Sequence, residues 1–174
     1  MNDFAHLLDR LGYEPRRNAK LRLLQDYFAR TPDPERGYAL GAMTGSLSFR
    51  EAKPALIRGL VEARIDPVLF RLSHNYVGDL AETTALIWPA PAEANEAGIG
   101  HNKPPPPSLA EVVETLATTA KKDLPGHLAT WLDALDETGR WALLKLVTGN
   151  LRVGVSARLA KTAVGALGGH EADA

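Results

Sequence analysis

There is no cysteine among the 174 residues, which excludes disulfides, thiolate metal sites and cysteine nucleophiles together. Aromatic residues are scarce, at 6%, while Ala and Leu are plentiful; that balance favours helices over strands, which prefer aromatic and β-branched side chains. No stretch approaches the roughly 20 apolar residues of a membrane span. The opening Met1-Asn2-Asp3-Phe4 lacks the basic start and apolar run of a signal peptide. A cytoplasmic chain without a membrane partner is expected. No phosphate loop ending in Gly-Lys-Ser/Thr is present. Gly98-Ile99-Gly100 has half the spacing of a dinucleotide fingerprint, but no strand precedes it, so it reads as linker. His6, His74, His101, His127 and His170 are scattered, and the nearby Asp9 and Asp123 read as surface charges, so no metal site is expected.

What is present is ordinary in bulk and uneven in distribution. Apolar residues make up 45% and charged residues 24%, enough for one domain or for two small helical units sharing a core. The net charge is −1. From Gly139 to His170, however, five basic residues (Arg140, Lys145, Arg152, Arg158, Lys161) meet no Asp or Glu. Residues 91–137 carry eight acidic and three basic side chains, and residues 1–30 carry six basic and four acidic. Positive charge collects at both ends. That separation fits either a solvated surface or a polyanion-binding face, and the second requires a fold that joins the ends.

Helical periodicity runs through the chain, with no β-alternation. Phe4, Leu7, Leu8 and Leu11 form one apolar face, ended by Gly12. Leu21, Leu24 and Phe28 mark a second helix over about 17–30. Asp33-Pro34 offers an N-cap and first-turn proline for a third, and Ser48 with Glu51 a capping box for a fourth. Asp66-Pro67 opens a fifth helix with Val68, Leu69 and Leu72 as its apolar face, and a sixth runs from about Gly78 to Trp88. Residues 89–107, ending in four prolines, cannot bury a face and read as a linker. Beyond it, Ser108 with Glu111, Pro125, Glu137 and Ser156 open four more helices. The expected architecture is all-α: a helical half over 1–88, the Pro-rich linker 89–107, a helical half over 108–167, and the start of a further linker at 168–174. Trp88, Trp131 and Trp141 are expected in or beside the core.

The segment with the most chemistry is Thr148-Gly149-Asn150-Leu151-Arg152-Val153-Gly154-Val155-Ser156. It reads as a tight turn entering a helix N-terminus, where unpaired N–H groups and the helix dipole favour an anion. Arg152 adds a fork of donors matched to phosphate oxygens. The missing side chains at Gly149 and Gly154 would let a sugar–phosphate backbone come close. The same residues would serve equally as a plain connector between two helices.

Gly-Asn-Leu-Arg-Val-Gly-Val-Ser at 149–156 resembles the Gly-x-Leu-Arg-x-Gly segment that ends the N-terminal DNA-binding domain of ATP-dependent DNA ligases of the bacterial multidomain type. Gly78-Asp79-Leu80-Ala81-Glu82 resembles that domain's Gly-Asp-[Leu/Val]-x-Glu run, and Arg17-Asn18-Ala19-Lys20-Leu21-Arg22-Leu23-Leu24 resembles its early helix. The resemblance implies a helical domain that binds nicked duplex DNA across the minor groove, mainly through backbone phosphates and without sequence preference. Carried over by position, it points to Gly149, Arg152 and Gly154, with Arg158 and Lys161 on the following helix. Arg17, Asn18 and Lys20 form a second patch. Asp79 reads as an N-cap, not a contact. The resemblance implies ATP and Mg for a parent ligase active in repair, replication or recombination, and a catalytic nucleotidyltransferase domain as partner in that parent. The chain itself is expected to need no cofactor. A helical protein–protein scaffold with no nucleic-acid role is the alternative.

One departure limits what these residues can do. Such ligases carry the adenylated lysine in Lys-x-Asp-Gly, and the closest approach here, Lys121-Lys122-Asp123-Leu124, has Leu in place of Gly. Incubated with labelled ATP and Mg²⁺ and run on a denaturing gel, the chain is expected to show no covalent adenylate. A stable labelled band would overturn that reading.

Overall fold

The computed structural model describes residues 1–89, 104–149 and 151–169, and its regular elements are all helical. They are α1 (Asn2–Tyr13), α2 (Arg17–Arg30), α3 (Glu35–Thr44), α4 (Pro54–Glu62), α5 (Pro67–Val77) and α6 (Leu80–Ile87), then α7 (Leu109–Thr118), α8 (Leu124–Ala134), α9 (Glu137–Thr148) and α10 (Ala157–Gly165). Several boundaries follow from capping chemistry legible in the sequence. The Asp66 carboxylate accepts from the N–H groups of Val68 and Leu69, with Pro67 at the first helical position. Ser108 accepts from Glu111, Asp136 from Gly139 and Ser156 from Leu159. Each such cap contributes about 1 kcal/mol relative to alanine.

Other expected boundaries move. The helix expected at Ser48 starts instead at Pro54, because Phe49 and Ala52 turn inward as irregular chain and proline is best tolerated in the first turn. Asp33 does not cap α3; Pro34 occupies the cap position and no side chain bonds there. Gly12 lies within α1, which runs on to Tyr13. The largest correction concerns α5. Its expected inner face is turned out, with Val68, Leu69 and Leu72 between 51% and 60% exposed, and Phe70 is the buried residue, stacked on His74.

The two helical halves do not form separate bodies. Helix α9 packs on α1 and α6, α10 on α2 and α3, α7 on α3, and α8 on α4, so one apolar core runs through both. Leu8, Leu11, Leu24, Phe28, Ile57, Leu109, Leu128, Leu132, Leu143 and Leu144 are all fully buried within it. Most of the expected linker, residues 90–103, lies outside the described residues. Its two flanks are anchored. On one side the Trp88 indole N–H donates to Asp133 Oδ1 at 2.9 Å, and the Arg64 guanidinium lies over the Trp88 ring while donating to the same carboxylate at 2.7 and 3.0 Å. On the other, the Met1 ammonium donates to the Pro107 carbonyl at 2.9 Å, and Glu35 of α3 accepts from the N–H groups of Leu109 and Ala110 at the start of α7.

Helix α9 is surrounded almost completely, with Ala142 to Val147 all buried. One of those residues is Lys145. Its ammonium donates to Asp79 Oδ2 at 2.7 Å and lies 3.5 Å from Glu82, while Asp79 Oδ1 accepts from the Glu82 N–H and so caps α6. The expected N-cap role of Asp79 is thus realised, together with a second, unforeseen one. Burial by itself would raise the Asp79 carboxyl, but the hydrogen bonds from Lys145 and the Glu82 N–H outweigh it and hold the pKa below the usual 3.8. A carboxyl depressed in the folded state stabilises the fold above its unfolded value, and that contribution is lost as pH falls through the folded value. Replacing Asp79 with Ala removes a cap and leaves a largely buried ammonium with only the more distant Glu82. The expected loss in urea unfolding is about 2–3 kcal/mol at pH 7, shrinking as the pH drops below 3.8. A loss under 0.5 kcal/mol, or one independent of pH, would show that the pair contributes little.

Candidate nucleic-acid interface

The two basic segments identified in the sequence lie 133 residues apart at their closest tie and meet in space. Helix α10 packs against α2. The Lys20 ammonium donates to the carbonyls of Val153 and Gly154 at 2.8 and 3.0 Å, fastening the 151–155 turn to the first half of α2. Lys20 was expected among the phosphate contacts. It is instead only 9% exposed and directed inward. Charge-assisted hydrogen bonds contribute about 1.5–3 kcal/mol each, whereas a surface ion pair contributes about 0–1, so the internal bonds hold against an external phosphate. The sequence contained the signal: Lys20 is at helical spacing from Leu24, Tyr27 and Phe28, all buried on the same face.

The glycines acquire roles from the same arrangement. Gly149 takes φ 69° and closes α9, with its N–H on the Leu146 carbonyl. Nothing lies within 4 Å of where a Cβ would stand, so the approach to Gly149 stays open. Gly154 takes φ 66°, and a Cβ there would stand 2.5 Å from Lys20 Nζ. The space expected to admit a sugar–phosphate backbone at Gly154 is therefore filled by a lysine of the same chain. At α10, Ser156 takes the Leu159 N–H, so one of the helix-terminal donors is satisfied internally.

The remaining candidates face solvent. Arg152 is exposed and makes no hydrogen bond or ion pair among the described residues. Arg158 and Lys161 are exposed on α10, and Arg17 and Asn18 on the first turn of α2. No side chain caps α2 and its first turn holds no acidic residue, so its N–H groups add partial positive charge beside these cations. Arg16, Arg17, Asn18 and Arg22 line a shallow depression at that helix end. Arg16 is partly neutralised by Glu14 at 3.1 Å, and its hydrogen bond holds the Glu14 carboxyl below its ordinary value. Arg16 and Arg22 flank this patch at i−1 and i+5 of Arg17 and add to its positive charge. The buried ion pair of Lys145 belongs to the same neighbourhood in sequence but stays internal. Among the described residues no three His, Asp or Glu converge to hold a metal ion, and no helix is long and apolar enough to cross a membrane.

Two buried lysines tie these stretches into the fold. Lys145 links the 78–82 run to α9, and Lys20 links the 17–24 run to the 149–156 turn. No protein-family model matches the chain, and no curated protein matches it.

The Lys20 tie can be tested apart from any ligand. Gly154→Ala should destabilise the parent by about 3 kcal/mol, from left-handed backbone strain and displaced Lys20 hydrogen bonds, but only by about 1 kcal/mol in a Lys20→Met background, where strain alone remains. Equal losses in the two backgrounds, measured by urea unfolding, would mean that the ammonium does not fill the glycine's space.

Proposed function

We propose that the chain is a duplex-DNA-binding module that holds backbone phosphates on the joint α2–α10 face. Arg17, Asn18, Arg152, Arg158 and Lys161 provide the donors, and Gly149 gives the open approach beside them. The observation that carries this reading is the Lys20 bond to Val153 and Gly154, which unites two basic segments from opposite ends of the sequence. Solvent-facing cations on one surface suit a polyanion, whose affinity comes mainly from counterion release and not from base readout. The resemblance at 17–24, 78–82 and 149–156 narrows the proposal to nicked duplex and to a parent ATP-dependent ligase. In such a parent, ATP and Mg would serve a separate nucleotidyltransferase domain, and this chain would grip the substrate. A protein of this kind would work in the cytoplasm, alongside its duplex.

A second reading, a helical protein–protein scaffold, is favoured by α5, whose Val68, Leu69, Leu72 and Tyr76 stand exposed in one stripe. Retention on duplex DNA at moderate salt separates the two.

Arg152→Ala is expected to weaken binding to every duplex alike and to reduce the slope of log affinity against log salt by roughly one unit. Fluorescence anisotropy at several salt concentrations, with nicked and intact duplexes of unrelated sequence, makes the measurement. Because Arg152 is exposed and makes no described internal bond, its removal should leave the melting temperature unchanged. Parental affinity and salt slope in the variant would reduce the turn to a connector.

A further inference from the structure

A different surface has chemistry of the opposite sign. The last turn of α1, the middle of α6 and the first turns of α9 enclose a groove of about 380 Å³. Tyr13 and Leu86 form part of its wall and are 85% and 55% exposed, although large apolar side chains elsewhere in the described chain are mostly buried. Trp141 is half-buried beside them. Asp9, Glu82 and Glu137 also line the groove, with no lysine or arginine among its lining residues. Glu82 is drawn partly toward Lys145, but Asp9 and Glu137 make no ion pair among the described residues.

Carboxylates beside aromatic and aliphatic walls match one kind of occupant. A guanidinium or ammonium group can sit between the acids, its alkyl stem and apolar neighbours covering Leu86, and the faces of Tyr13 and Trp141 attract the same cation. Partial exclusion of water inside the groove strengthens the pairing. A phosphate backbone would meet three carboxylates here, which removes nucleic acid as the occupant. We propose that this groove docks a partner protein segment in which arginine or lysine alternates with aliphatic residues. The proposal stands independently of DNA binding on the α2–α10 face, because the groove is built from other elements.

The test uses the full chain and a fluorescein-labelled peptide of sequence Leu-Arg-Leu-Arg-Leu, followed by fluorescence anisotropy. Two control peptides replace Arg by Glu or Leu by Ser. The parent chain should bind the Leu-Arg peptide and neither control to a comparable degree. Asp9→Asn combined with Glu137→Gln should weaken binding about tenfold, and Leu86→Ser by a similar factor, since each removes one of the two kinds of contact. Arg152→Ala should bind the peptide like the parent, so failure here is distinguishable from failure of the DNA reading. All of these positions are at the surface, and unchanged circular dichroism checks that the variants remain folded. The proposal is overturned if the groove variants bind like the parent, if either control peptide binds as well, or if no binding is seen. It is also overturned, in favour of a second copy, if sedimentation shows self-association that the groove variants abolish.

Discussion

An ammonium group that is largely buried must be matched by oxygen atoms from the protein, because little water reaches it, and helix α9 imposes that requirement where it packs on α6. Lys145 stands in a helix enclosed on nearly all sides and finds Asp79 and Glu82 across the packing boundary with α6. The match constrains more than one pair. Asp79 must present one oxygen to the lysine and the other to the N–H of Glu82, which sets where α6 begins. Helix α9 in turn packs on α1 and α6, and its last residue leads into the turn that Lys20 holds. A buried ion pair is a weak source of net stability compared with well-packed apolar residues. Its other effect here is geometric: it ties Asp79 at the start of α6 to the middle of α9.

Lys20 acts by the same principle at the periphery. Its partners are two backbone carbonyls in place of a carboxylate, so the tie fixes a loop and leaves a positive charge beside the exposed cations. The lysine that joins the candidate face is thus unlike the arginines displayed on it. Arg152 offers its donors outward, whereas Lys20 has already used its own on the chain.

Much of the fold was legible in the sequence, for reasons that can be traced to individual residues. Asp66, Asp79, Ser108 and Ser156 cap helices because a short oxygen-bearing side chain at the N-cap meets local N–H groups, and no tertiary information is needed for that. The inner face of α1 was equally visible in the spacing of Phe4, Leu7, Leu8 and Leu11. Position 48 was misread because a capping box is a local option, which the inward turn of Phe49 overrides. The orientation of α5 was misread because Val68, Leu69 and Leu72 are apolar on either choice of face, and only the surrounding helices decide that Phe70 goes in. In the candidate face, Arg17, Arg152, Arg158 and Lys161 are exposed, as charged side chains ordinarily are. Lys20 was assigned by its charge when its spacing from Leu24, Tyr27 and Phe28 carried the better information.

Trp88 and Pro107, on either side of the interval, are each fastened to the core by separate groups. Asp133 holds the departing end through Trp88 and Arg64, and Glu35 with Met1 holds the returning end. Helices on the two sides then interlock, α9 between α1 and α6 and α10 against α2. The length of the interval therefore matters little to stability, about 0.6 kcal/mol for each doubling, while the tether itself keeps the two sides at high effective concentration. In the language of protein complementation, the domain is a pair of fragments that recognise one another through their own side chains. A cut in that interval would make the association of the two sides bimolecular, so that the stability of the fold would come to depend on concentration.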